Sequence, residues 1–374
     1  MIEGLRTSPV SMDQEAYESW KDYRTRRYLT DPNQLRVMVR NPFQLTQHER
    51  ASLLDKISRN NFVVYEYDLC QDDIHAAFEE CQIEPEKTKS QIIDQHVIGQ
   101  HGLSQKNDRL CPVSNRGYAH ICRQLGLVDS IPNPESGPND VTLVREINQT
   151  RGLHELDFPS DSPTENVDFK RYIPYTNKPL GWHTDGYYNS DKHIVRSFIL
   201  HCERPAIFGG ANELVDPEMI YFQLRDANPQ WAEALTQPDV MAIPANRVDN
   251  RTLRREFRGP VFHTDPNTGY LYTRYTQRKR NIRWKTDTLT EAALEAMHQL
   301  LEEDNQWKIR IRLTSGQGII CNNVIHRRTA FSDNNANSDN RNPGAETATS
   351  SKRCLHRIRF GNRLPSTGVY PPLD

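Results

Sequence analysis

Between residues 308 and 326 the chain alternates, turns and comes straight back. Lys308-Ile309-Arg310-Ile311-Arg312-Leu313 alternates strictly between apolar and charged, the period of a strand with one buried face. Ser315-Gly316-Gln317-Gly318 turns the chain. Ile319-Ile320-Cys321-Asn322-Asn323-Val324-Ile325-His326 then returns as the next strand. The same texture of short strands separated by turns starts at Val167, which points to a β-sandwich or barrel.

Other elements are placed by local chemistry. Phe169–Tyr175 leads into the His183-Thr184-Asp185 stretch, and Arg196–Cys202 reads as a strand. Gly209-Gly210 is a turn, and Asp216-Pro217 is an N-cap with proline at N1, opening a helix to about Ala227. Thr288-Leu289-Thr290-Glu291 reads as a capping box before an amphipathic helix through Leu294, Met297, Leu300 and Leu301. Upstream, Thr46-Gln47-His48-Glu49 is a capping box for a helix carrying Ala51, Leu53, Leu54 and Ile57, stopped at Asn60-Asn61. Phe62–Tyr67 is a strand, Asp72–Cys81 a helix, 132–138 a loop, Val141–Val144 a strand and 150–166 a polar loop. Residues 84–140 otherwise carry no clear pattern. Residues 1–40 are polar, rich in Arg and Tyr, and fit either a helix or an arm.

The 374 residues suffice for one large domain with insertions or two smaller ones. With 47 basic and 49 acidic residues, no global charge draws the chain to nucleic acid or an anionic membrane. No apolar run reaches the length of a membrane span, and the N-terminus lacks the apolar core of a signal peptide. The seven cysteines are odd in number and form no CxxC, which reads as reduced thiols in a cytoplasmic protein, neither a disulfide framework nor a zinc site.

The chemistry centres on Gly181-Trp182-His183-Thr184-Asp185-Gly186-Tyr187-Tyr188. On a strand, His183 and Asp185 would share a face with Cα atoms roughly 6.6 Å apart, close enough to meet on one ion. Neutral imidazole with a hard carboxylate suits a first-row metal such as Fe(II). A second copy, His263-Thr264-Asp265, runs into Asp265-Pro266-Asn267-Thr268-Gly269, so Asp265 is better read as the first residue of a β-turn. The third ligand is His326. A lone histidine is more often a satisfied core or surface group, and His326 gains weight from Arg353-Cys354-Leu355-His356-Arg357-Ile358-Arg359-Phe360 downstream. Arginine inside an otherwise apolar strand calls for an anion, and its planar fork matches a carboxylate. Arg353 and Arg357 share a face roughly 13 Å apart, too far to hold one carboxylate, so Arg357 is taken as the primary clamp and Arg353 as secondary. The plainer alternative for these arginines is a solvated strand face.

Together these pieces resemble the taurine dioxygenase / clavaminate synthase-like family of Fe(II)- and 2-oxoglutarate-dependent oxygenases. The resemblance rests on HxD at 183–185, the distal His in Asn322–Phe331, and Lys352–Arg357. It also takes in Trp182, Gly209-Gly210 and Gly269-Tyr270-Leu271-Tyr272-Thr273-Arg274-Tyr275. It covers about 165–364 well and extends weakly to about 45. It implies an α+β fold: a double-stranded β-helix (jelly roll) core with helical insertions and an N-terminal helix-rich extension. Residues 1–40 would be an arm and 41–374 a single oxygenase domain, with core strands mainly in 165–364 and a flexible loop at 332–351. It assigns His183, Asp185 and His326 to iron, and Arg357 to the distal carboxylate of 2-oxoglutarate, with O2 as the other co-substrate. Two departures stand out. The family sets the clamp arginine nearer the distal His than the 31 residues found here (357 − 326). The position of a helpful threonine near the glycine turn is held by Asn212.

Trp182, Tyr187 and Tyr188, with Tyr172 and Tyr175 nearby, are candidate substrate contacts through cation–π interaction; packing of the barrel mouth is the blander account. The basic run Arg274, Arg278, Lys279, Arg280, Arg283 and Lys285 offers a nucleic-acid reading, and balanced charge favours a solvated face. The expectation is a dioxygenase that hydroxylates a small polar or zwitterionic metabolite, with no nucleic-acid or membrane partner. A homo-oligomer is compatible with the sequence. The rivals are a non-catalytic jelly-roll protein that binds metal or ligand, and a nucleic-acid-binding protein using 274–285.

Overall fold

In a computed structural model of the chain, the described residues are 8–67, 117–132, 136–137, 140–146, 175–248, 251–278, 282–333 and 352–364. The helix expected at Asp72–Cys81, the stretch Phe169–Tyr175 (apart from Tyr175 itself), the polar loop 150–166, most of the loop 132–138 and the loop from 334 to 351 lie outside them.

Six helices are described: α1 (Gln14–Arg27), α2 (Gln47–Asn60), α3 (Gly117–Leu125), α4 (Pro217–Ala227), α5 (Pro229–Ala234) and α6 (Thr288–Glu302). Ten strands build the two largest sheets: β1 (Arg36–Met38), β2 (Phe62–Glu66), β3 (Thr142–Arg145), β4 (Leu180–His183), β5 (Ser197–Arg204), β6 (Asn212–Val215), β7 (Lys308–Ile311), β8 (Gln317–Cys321), β9 (Ile325–Arg328) and β10 (Cys354–Phe360). The first sheet has the order β1-β2-β8-β5-β10-β3 and the second β7-β6-β9-β4. Among the described strands of these two sheets, only the β1–β2 pair is parallel. The fold is therefore a mixture of helix and sheet, as the sequence implies.

Alternation along the strands sorts the core into layers. Phe62 and Val64 of β2, Ile319 of β8 and Leu355 of β10 join Leu214, Ile309 and Ile325 of the four-stranded sheet in one apolar cluster, which extends to α4 and α6. The alternate residues Val63, Tyr65, Ile320, Ile358 and Phe360 pack instead with Leu53 and Ile57 of α2 and with Tyr118, Ile121 and Leu125 of α3. The six-stranded sheet is thus buried on both faces.

Most local signals hold. Thr46 and Glu49 form both halves of the capping box of α2, and Asn61 ends that helix in the left-handed region at φ 60°. Asp216 caps α4 with Pro217 behind it. The cap of α6 lies one residue earlier than expected: the Asp287 carboxylate accepts the Thr290 N–H at 2.9 Å, so Thr288 is already helical. Helix α3 falls in a stretch where the sequence shows no clear pattern. Residues near the N-terminus form helix α1, whose buried Arg24 guanidinium donates to Asp216 Oδ2 and to the Ser58 carbonyl oxygen, both at 2.6 Å, and ion-pairs with Glu218.

One correction bears on the site. The segment 319–326 is not one strand. β8 ends at Cys321 in the first sheet, and β9 starts at Ile325 in the second. The break is Asn322-Asn323, where Asn323 takes φ 50°. A left-handed residue cannot continue a ladder, and asparagine tolerates that conformation better than other side-chain-bearing residues. His326 therefore stands near the start of a strand, not at its end.

Candidate metal centre

β4 carries His183 at its last position, and Asp185 opens the turn that follows. The pair is thus a strand end and a turn, not two steps along a regular strand as the spacing argument assumes. Gly186 at φ 64° makes the turn, and a Cβ there would lie 2.5 Å from Val195 Cγ2. β9 supplies His326 directly across the ladder from His183. The two rings stand with centroids 4.3 Å apart, and Phe198 packs on the His326 ring.

The three donor sets converge. His183 Nε2 lies 3.7 Å and His326 Nε2 4.0 Å from Asp185 Oδ1. In each ring Nδ1 lies 2.9 Å from the carbonyl oxygen two residues earlier, Gly181 for His183 and Val324 for His326. Those carbonyls accept the Nδ1–H, which fixes the tautomer and leaves both Nε2 lone pairs aimed at the carboxylate. A first-row ion holding nitrogen and oxygen at about 2.1 Å sets neighbouring donors about 3 Å apart, so closure by less than about 1 Å completes the site. The donor set fits a divalent first-row metal of the two-histidine, one-carboxylate type.

Asp185 is pinned by groups that the spacing argument does not name. Asn323 Oδ1 accepts its backbone N–H at 2.8 Å. Oδ2 of the carboxylate faces Arg359 Nε at 3.0 Å and Arg357 Nη1 at 3.2 Å. Burial alone would raise the carboxyl; the two guanidiniums outweigh it and hold Asp185 well below the usual carboxylate range. Oδ1 faces the histidines and also accepts a hydrogen bond from Arg357 Nη1 at 3.4 Å. Burial and the neighbouring His183 push His326 down to about 3, which keeps it a neutral donor. Arg357, expected as the primary carboxylate clamp, is thus already engaged at the metal ligand itself.

Arg353 sits elsewhere. It packs on the Phe331 ring at 4.8 Å, and Arg328 lies over the same ring at 4.9 Å. Asn212 is the cross-strand partner of Arg328, and Arg353, Asn212, Gly210 and Arg312 line a common cavity. Arg353 Nη1 and Asn212 Nδ2 are buried without a hydrogen-bond partner among the described residues. Burial pushes Arg353 down to about 10; burial and the nearby Arg353 push Arg328 down to about 9. Gly209 and Gly210 form the expected turn at φ 71° and 72° beside this cavity, and a Cβ on Gly209 would strike the Ala330 carbonyl oxygen at 2.1 Å.

The aromatic candidates divide. Trp182 points away from the metal ligands because its neighbour His183 points toward them; it is fully buried in the main core under Arg327, 4.6 Å from the ring. This position fits the packing account rather than the substrate contact expected of it. Tyr187 is buried and edge-on to Tyr188 at 5.1 Å. Tyr188 is half-buried, with Arg359 Nη1 3.5 Å from its hydroxyl and Arg254 over its ring at 5.8 Å. Tyr175 is buried. Asp265 is the turn residue expected: Gly269 N–H donates to its carbonyl at 2.8 Å, and its carboxylate pairs with Arg196. In the basic run, Arg274 is buried against Phe257, Arg283 pairs with Glu256, and Lys285 lies 3.2 Å from Asp239.

Asn323, Gly186 and Arg359 are the site residues the motifs missed. An Asn-Asn pair inside an apolar run was the available signal, since asparagine there disfavours an unbroken strand.

Comparison with known proteins agrees with this geometry. The profile of the family described as "Taurine catabolism dioxygenase TauD, TfdA family" matches residues 118–341, which include His183, Asp185 and His326. A uridine-5'-phosphate dioxygenase of Streptomyces sp is 27% identical over 42% of this chain and 58% of its own length. One from Amycolatopsis sp is 30% identical over 41% and 55%. A trimethyllysine dioxygenase of Meyerozyma guilliermondii is 27% identical over 54% and 51%. The chain spans about half the length of these curated relatives. With the profile covering more than half of the chain, and with both histidines and the carboxylate brought to one point inside it, this protein belongs to the TauD/TfdA dioxygenase family.

Proposed function

We propose that the chain is an Fe(II)- and 2-oxoglutarate-dependent dioxygenase that oxidises, by hydroxylation, a C–H bond of a small polar metabolite bearing an anionic group. The observation that carries this is the convergence of two Nδ1-pinned imidazoles and one ionised carboxylate within 4.8 Å of one another. His183, Asp185 and His326 would hold the iron on one face, leaving three positions open. When bound, iron and 2-oxoglutarate supply oxygen activation coupled to decarboxylation, with release of succinate and CO2.

The two co-substrate arginines exchange rank in this reading. Arg353 and Asn212 hold the distal carboxylate of 2-oxoglutarate, because they are buried donors in need of an acceptor beside a second buried guanidinium, Arg328. Arg357 and Arg359 stay at Asp185 and face the substrate. One carboxylate set against two guanidiniums leaves positive charge, to which a divalent ion adds; Arg254 beside Tyr188 adds more. A substrate with a phosphate or carboxylate neutralises it. The names of two relatives, uridine-5'-phosphate dioxygenases, agree with such a group. The two main sheets, with helices around them, are read as a jelly roll, residues 41–374 as one domain and residues 1–40 as an arm secured by Arg24. The four cysteines among the described residues are buried and free, which supports the cytoplasmic reading. No helix among the described residues is long and apolar enough to cross a membrane.

The test is anaerobic addition of Fe(II) and then 2-oxoglutarate, watching for the visible charge-transfer band of the chelate. The band is expected in wild type and absent in His183→Ala. It should require more 2-oxoglutarate in Arg353→Met than in Arg357→Met. A folded, iron-loaded protein with no band would sink the dioxygenase reading and favour a metal-binding module without turnover.

A further inference from the structure

A second donor cluster lies on the face of the six-stranded sheet turned away from the iron ligands. Cys354 and His356 are two residues apart on β10, so they share a face, and it is opposite to that of Arg357. Glu203 reaches them from β5. There the register slips: Cys354 faces Arg204 and Leu355 faces Cys202, which leaves Glu203 as the extra residue of a bulge. The sulfur, a ring nitrogen and a carboxylate oxygen all lie within 4.8 Å of one another. His356 Nε2 is 2.7 Å from Glu203 Oε2. Cys354 and His356 are buried, and the Glu203 side chain is 8% exposed.

We propose that Glu203, Cys354 and His356 form a second divalent metal site, one that takes Zn2+ with its fourth position open. The donor chemistry separates it from the iron centre. Thiolate with imidazole and carboxylate suits zinc, whereas the first site offers only nitrogen and oxygen. Charge supports it as well. Zn2+ with a thiolate and a carboxylate is neutral, which suits a buried position better than any unpaired ion. A tetrahedral zinc ion sets its donors roughly 3.4–3.8 Å apart, so the Glu203–His356 pair opens by about 1 Å when the ion replaces their hydrogen bond.

The proton balance is simple. Cys354 loses its thiol proton to solvent, and its sulfur binds the ion. His356 shifts its ring proton to Nδ1, where the Tyr118 hydroxyl oxygen, 3.1 Å away, accepts it. One proton is released per metal bound. Arg204 Nη1 lies 3.3 Å from the other carboxylate oxygen, Glu203 Oε1, an ion pair without a hydrogen bond. The ion would tie β10 to β5 between Arg353 and Arg357, steadying the strand that carries both arginines.

This site stands independently of the dioxygenase reading. The test uses the full-length chain stripped of metal and carrying His183→Ala, which removes the iron centre. Titration with Co2+ should give one bound ion per chain, a thiolate-to-cobalt charge-transfer absorption, and displacement of the cobalt by Zn2+. The absorption should vanish in Cys354→Ser, and His356→Gln should weaken binding at least tenfold; each variant is checked for folding by circular dichroism. If Cys354→Ser does not fold, the His356→Gln titration decides. No stoichiometric cobalt binding would overturn the proposal, as would a charge-transfer band that persists in Cys354→Ser or a His356→Gln variant that binds like its parent.

Discussion

Asn323 holds the backbone of Asp185 from both sides: its Oδ1 accepts the Asp185 N–H at 2.8 Å and its Nδ2 donates to the Asp185 carbonyl oxygen at 3.0 Å. Nδ2 also donates to the Val195 carbonyl oxygen at 2.6 Å. Asn323 is at once the break between two sheets and the brace of the metal carboxylate. Asn323→Ala should cost about 2–4 kcal/mol through lost buried hydrogen bonds and left-handed strain. It should also weaken iron binding roughly 10- to 100-fold. Asn323→Gly relieves the strain but leaves the brace missing, so denaturant midpoints should partly recover while iron affinity does not. Recovery of both would show that only backbone conformation matters.

Arg353 predicts effects of opposite sign on two measurements. Its guanidinium is buried near that of Arg328, and burial with this proximity lowers the Arg328 pKa to about 9. Arg353→Met removes the repulsion and keeps the packing on Phe331. Thermal stability without 2-oxoglutarate should hold or rise. Affinity for 2-oxoglutarate should fall about 10- to 100-fold, in line with ~1.5–3 kcal/mol for a charge-assisted hydrogen bond. Parallel losses in both measurements would reassign Arg353 to a purely structural role.

His201 sets an acid-side dependence of stability. It is buried among Tyr65, Tyr67, Tyr118, His356 and Glu203, with Tyr65 Oη 3.0 Å from its Nδ1. Burial, then His356, pushes its pKa down to about 3. The unfolded chain, near 6.5, therefore binds more protons than the fold between about pH 6.5 and 3. Stability attributable to His201 is full above that window and declines as pH falls through it, by up to ~1.4 kcal/mol per pH unit. Denaturant midpoints of His201→Gln should fall less steeply across that range than those of wild type; equal slopes would remove His201 as a cause.

Arg24 ties the N-terminal segment to the body of the protein. It is 4% exposed and faces both Asp216 and Glu218. Arg24→Met strands two buried carboxylates and should destabilise by about 3–5 kcal/mol. The triple change Arg24→Met, Asp216→Asn, Glu218→Gln should cost less than the single one. Chemical denaturation of both variants reads this directly.

The sequence by itself determined many of the local elements and singled out the two histidines and the carboxylate that the fold brings together. Periodicity placed the strands around 308–326, cap chemistry placed α2 and α4, and HxD with a later histidine named the triad. Those features depend on neighbours in the chain. Tertiary structure decided which residues serve those ligands. Spacing along one strand ranked Arg357 above Arg353 as carboxylate clamp. It could not show that Arg357 and Arg359 would meet Asp185 from another sheet, or that Arg353 would be buried beside Arg328 and Asn212 with a donor unpaired. Trp182 looked like a substrate contact because it adjoins His183, yet adjacency on a strand sends it to the opposite face. The break at Asn322-Asn323 was written in the residues but needed the second sheet to give it meaning. Hydrogen bonds between strands distant in sequence choose the partner of each side chain, and that choice is settled by how the two sheets pack, not by any local spacing.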